Sequence, residues 1–136
     1  MSKKLSYNLE TLFAALHRRH PALYGITIRH HDQSVKAGSN EIVIKATVGD
    51  KMLAAFKGYE ASVETTYRSS TNEPSQNDAI ESAIRESVQN ATPGCVDELK
   101  LFNDLVIEPS MDTDRSDSKN QRRRVVKFQV FAKEKS

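Results

Sequence analysis

The chain has 136 residues, 38% hydrophobic and 28% charged, which suits one domain of the usual ~100–200 residues and excludes a second full one. A mean hydropathy of −0.59 fits a polar, folded chain with one modest core. The net charge of +2 divides into +4 over residues 1–31, −6 over 32–111 and +4 over 112–136, a separation that suits contacts between protein surfaces better than the coating of nucleic acid.

Leu5, Leu9, Leu12, Phe13 and Leu16 share one helical face, with Asn8 near the start and Pro21 and Gly25 closing the segment, so a helix is expected over residues 5–19. Gly25 opens the alternating stretch Ile26-Thr27-Ile28-Arg29-His30, a short strand before the polar residues 32–40. Ile42, Ile44, Ala46 and Val48 then alternate with Glu41, Val43, Lys45 and Thr47. Tyr59, Ala61, Val63, Thr65 and Tyr67 alternate with Glu60, Ser62, Glu64, Thr66 and Arg68, which makes a second long strand. Between the two, Gly49-Asp50 and Lys57-Gly58 are both turn signals, so residues 51–56 either extend the first strand or form a bulged crossover.

Residues 69–75, with Asn72 and Pro74, read as a loop, and Ser75 with Asp78 resembles a capping pair for a second helix. Its stripe is Ala79, Ile80, Ala83, Ile84, Ser87, Val88 and Ala91, closed by Thr92-Pro93-Gly94. Residues 101–108 form the next strand, stopped by Pro109, and Val126, Phe128, Val130 and Ala132 form the inner face of the last one. Between them, residues 110–124 (SMDTDRSDSKNQRRR) are too polar to pack and are expected to be a mobile loop used for binding. The order α-β-β-β-α-β-β predicts a single α+β domain, with two helices on one face of a largely antiparallel sheet of about five strands.

No apolar run approaches the about 18 residues of a membrane span, and Met1-Ser2-Lys3-Lys4 leads into an amphipathic segment, so synthesis without export and no membrane contact are expected. The one cysteine, Cys95, excludes an internal disulfide or a cysteine-based zinc site and reads as a small buried apolar residue. His17 and His20 stand at the end of the first helix beside Arg18 and Arg19, where cations complement the helix terminus. His30 and His31 are adjacent on a strand, so they are expected on opposite faces and unable to share one metal. Asp112, Asp114 and Asp117 do not make a calcium loop, since no central glycine is present and Arg123 stands where the bidentate acid belongs. No Gly-rich phosphate loop, nucleophile elbow or HExxH occurs. The expectation is therefore no catalytic residue, no metal and no cofactor, in a protein that works by association.

The most concentrated basic segment holds Arg115, Lys119, Arg122, Arg123, Arg124 and Lys127. These are the candidate partner-binding residues, on a loop so polar that serine at 122, 123 and 124 is expected to leave folding intact. A nucleic-acid-binding module using residues 119–127 is the alternative reading, although the interleaved aspartates and the absence of stacking aromatics weaken it. The helix-strand-strand-strand-helix order of residues 5–91 also matches a double-stranded RNA-binding domain. Asn77, Asp78 and Glu81 stand where that fold would place phosphate-gripping lysines at the start of its second helix.

The opening helix LETLFAALHRRHPAL, the strand pair EIVIKATV and GYEASVETTYRSST, the helix NDAIESAIRESVQNA and the closing pair LFNDLVIE and VVKFQVFAK cover nearly the whole chain. In size and arrangement they resemble the tail-terminator, or tail-completion, proteins of the neck of long-tailed bacteriophages. The resemblance implies a structural virion protein assembled in the host cytoplasm. It implies an oligomeric ring, commonly of six subunits, that caps the tail tube and joins the tail to the head connector. Its partners would be copies of itself, the tail-tube protein and the connector protein, with DNA only passing through.

Overall fold

Leucines and Phe13 at helical spacing place one continuous apolar stripe on α1 (Ser2–Arg18), and Leu5, Leu9, Leu12, Phe13 and Leu16 are all buried. The computed structural model describes residues 2–31, 40–55, 57–69, 74–108, 112–118 and 121–135. After α1, a 3-10 turn at Pro21–Leu23 leads into β1 (Thr27–His30), which pairs parallel with β2 (Glu41–Leu53). β2 and β3 (Gly58–Arg68) form an antiparallel hairpin whose register shifts between Val48 and Met52. Both sequence readings of this connection are therefore partly realised: β2 extends to Leu53, and it does so through a bulge.

α2 (Pro74–Gln89) follows, and Gly94, at φ +76°, takes the left-handed conformation in the turn beyond it. A 3-10 helix at Asp97–Leu101 then leads into β4 (Phe102–Ile107), β5 (Asp112–Ser118) and β6 (Gln121–Glu134). The sheet runs β1-β2-β3-β6, with β4 and β5 both antiparallel to β6 along the edge of β6 away from β3. Ile107 faces Val130 and Asp112 faces Lys127, so β4 and β5 lie in succession along the same edge of β6.

The α+β class and the order of elements agree with the expectation, with the penultimate strand split in two and β1 parallel. The segment 110–124 does not. Over its described residues it is paired strand, because β6 supplies a ladder for Asp112–Ser118 whatever the polarity of the side chains. Lys119 and Asn120 lie outside the described residues.

Ile42, Ile44, Ala46, Ala61, Val63, Tyr67, Val126, Phe128, Val130 and Ala132 form the inner sheet face, buried beneath both helices. Phe13 meets Phe128 edge-on with ring centroids 5.3 Å apart. Ile84 is fully buried at the centre of this layer. Ile84→Ala should lower stability by about 3 kcal/mol in a urea melt. A change below about 0.5 kcal/mol would mean that α2 presents another face to the sheet.

Candidate functional site

An acid stands in the middle of the inward stripe of α2. Glu81, 3% exposed, lies one turn before Ile84 and faces two arginines that β5 and β6 set directly opposite each other, Arg115 and Arg124. Like charges in cross-strand register repel. Here the carboxylate separates them: Arg115 donates from Nε to Oε1 and from Nη2 to Oε2, both at 2.9 Å, in a two-pronged ion pair. Arg124, 2% exposed, reaches Glu81 Oε1 at 3.4 Å and also pairs with Asp78. Arg85, one turn along α2, donates to Oε2 at 2.6 Å.

These donors, the Arg115 hydrogen bonds first and then Arg85, hold the Glu81 carboxyl at about 2, well below its ordinary 4.5, against the opposing effect of burial. The consequence is mechanical. Three guanidiniums on one helix and two strands meet at one carboxylate, so the half of the hairpin expected to move freely is tied to α2.

The basic segment is thereby divided. Arg124 is buried against Glu81, Arg115 reaches the same carboxylate from the exposed side, Arg123 is exposed, and Lys127 pairs at 3.3 Å with Asp114. Lys119 and the side chain of Arg122 lie outside the described residues. Strand alternation sends Arg123 to one face and Arg124 to the other, so the arginines do not form one phosphate-gripping row. The expectation that residues 122, 123 and 124 can all be changed without harm to folding is overturned for Arg124. The residues that counted against RNA binding are also reassigned, since Asn77 and the acid Glu81 are buried and only Asp78 is exposed.

Sequence reasoning missed Glu81 and Arg85, yet part of the signal was there. Arg124 has the parity of Val126, Phe128, Val130 and Ala132, and Glu81 follows Asn77 and precedes Ser87 and Val88 at helical spacing. A charged residue in phase with a core stripe announces a buried partner.

The histidines are corrected in the same way. His17 is not a helix-end cation but a fully buried group between Ser87 Oγ, 2.6 Å from Nδ1, and Thr65 Oγ1, 3.1 Å from Nε2. Ser87 spends its own proton on Ile84 O at 2.8 Å, so its oxygen accepts from His17 Nδ1–H, and Nε2 accepts from Thr65. The imidazole is therefore neutral. Burial, aided by Arg18 and His20, pushes it from the ordinary 6.5 to about 3.

His20 likewise has partners other than the end of α1. Its Nδ1 accepts from Ala22 N–H at 3.1 Å, capping the following 3-10 turn, while Nε2 meets Glu86 at 3.0 Å. His30 and His31, expected on opposite faces, converge on buried Glu10, with Nδ1 atoms 3.0 and 2.9 Å from its two oxygens. β1 ends at His30, so His31 lies in a turn and escapes strand alternation. Among the described residues no group of three or more His, Cys, Asp or Glu is placed to hold a metal ion.

No protein-family model matches the chain. No curated protein matches it either. Solved chains that match its fold include one from a structure described as "Virion of native gene transfer agent (GTA) particle". That likeness has a TM-score of 0.57 at 12% identity and covers 96% of this chain and 93% of the other. At that identity it establishes a shared fold.

Proposed function

We infer that this protein is a structural, non-enzymatic virion component that closes the end of a tail tube as an oligomeric ring of six copies, in the manner of tail terminators, and joins the tail to the head connector. The observation that carries the reading is the fold shared with a chain of a virion particle along 96% of this chain and 93% of the other. Such a likeness supports a structural virion role, and the resemblance of the element order to tail-terminator proteins supports the finer reading. The segregated charge of the sequence suits a ring, in which one surface of each subunit meets a different surface of the next. The Glu81 cluster suits it too, since it ties β5 and β6 to α2 and so fixes the edge a neighbouring subunit would meet.

Light scattering at rising concentration, with and without a tail-tube protein, should give a discrete oligomer, and the protein should be found in purified virions. A strict monomer under both conditions, absent from virions, would remove this reading. DNA binding should be weak and fade as salt rises, because among the described residues the basic segment is split between the Glu81 cluster and the surface. Tight DNA binding that persists at physiological salt would favour the nucleic-acid alternative instead.

A further inference from the structure

Two features stand out on the surface of the described residues. One is the tip of the β2–β3 hairpin. β1 pairs with β2 only as far as Ile44, and β6 pairs with β3 only from Tyr59 onward, so Met52 opposite Tyr59 and Leu53 opposite Gly58 continue the hairpin as a two-stranded ribbon beyond the rest of the sheet. Its end is apolar and bare: Met52 is 57% exposed, and Ala54 and Ala55 are exposed beside half-buried Leu53. Lys57 holds a left-handed backbone, φ 57°, with its N–H bonded to Leu53 O at 2.7 Å. A non-glycine residue rarely adopts that conformation, and strain of this kind is kept where a particular shape is used.

The second feature is a groove of about 540 Å³ where the end of α2, the 3-10 helix and edge strand β4 leave a gap. Its walls are Val88, Ala91, Pro93, Leu99, Leu105 and Ile107. α2 lies over β3 and β6, so the inward residues of β4 remain only half-covered.

We propose that the hairpin tip of one subunit, led by Met52, docks in the α2–β4 groove of a second copy of this chain. The chemistry matches on two counts. A flexible thioether followed by small residues fills an irregular apolar groove of this size. The segment that builds the groove, residues 86–108, carries Glu86, Asp97, Glu98, Asp104 and Glu108 against Lys100 alone, whereas residues 51–57 carry Lys51 and Lys57 and no acid, with Asp50 and Glu60 at the base of the ribbon. Tip and groove are different surfaces, so the contact is head-to-tail and repeats until it closes. It supplies the subunit contact of the ring and rests on that reading.

In a Cys95→Ala background, Ala54→Cys at the tip and Thr92→Cys on the groove rim are combined in one chain and oxidised during assembly. A ladder of covalent oligomers ending at the size of the native ring is expected. Met52→Asp, at an exposed site, should leave the thermal melt unchanged and raise the concentration for half-assembly at least tenfold. Rings that form without the cross-link, with Met52→Asp assembling like the wild type, would overturn the docking and leave the ring reading intact. Covalent dimers that never extend, or Met52→Asp rings that fail only to capture the tube, would overturn it as well. A wild type that never assembles, with or without a tail-tube protein, would remove the ring reading and the docking together.

Discussion

Glu81→Ala should destabilise the protein by about 3 kcal/mol, because it leaves buried Arg124 with only the exposed carboxylate of Asp78 and sets Arg115 opposite Arg124 without the acid they share. Arg124→Ser should be of similar size, since it removes the other buried member of the pair. The two changes share one interaction, so the double variant should lose clearly less than the sum of the singles. Arg123→Ser, next in sequence and exposed, should stay within about 0.5 kcal/mol. Urea melts of the four variants decide the matter. A Glu81→Ala loss below about 1 kcal/mol would mean that the cluster is a solvated surface network. The same carboxylate sets a pH dependence: its folded value of about 2 is depressed from 4.5, so its contribution is complete above 4.5 and is lost as pH falls towards 2.

The second large effect comes at milder acidity and from His17. Held neutral at about 3 against an ordinary 6.5, this imidazole binds a proton in the unfolded chain over a range in which the folded chain refuses it. Stability from this group is therefore complete above 6.5 and declines as pH falls through the interval down to 3, a loss on the order of 4 kcal/mol when complete. Protonation would also place an N–H on Nε2, where Thr65 now donates. His17→Gln, which keeps polar atoms for Ser87 and Thr65 but does not titrate, should flatten the stability profile between pH 6.5 and 4.5, above the window of Glu81. Parallel profiles for wild type and variant would show that His17 is hydrated and charged in the fold.

Both effects arise at residues that sequence reasoning placed in solvent, and the reason is the same in each case. Local pattern reports which face of an element a residue occupies, but charged and titratable types were assigned to the surface by type. His17 follows Phe13 and Leu16 at helical spacing, and Arg124 continues the inward alternation of β6. Their burial was legible in phase. Their partners were not: Ser87 is 70 residues from His17, and Asp78 is 46 from Arg124.

The sequence by itself determined the helices, the long strands and the apolar layer between them, because periods of 3.6 and 2 are local properties of the backbone that dictate which side chains can share a face. It also determined the division of charge. Tertiary structure alone decided that β1 runs parallel to β2, that residues 112–118 pair with β6, and that one carboxylate gathers three arginines. Each of these depends on segments far apart in sequence coming into register, and a polar segment such as DTDRSDS has no pattern that names its neighbour; its backbone becomes a strand because β6 offers a ladder of N–H and C=O groups to complete.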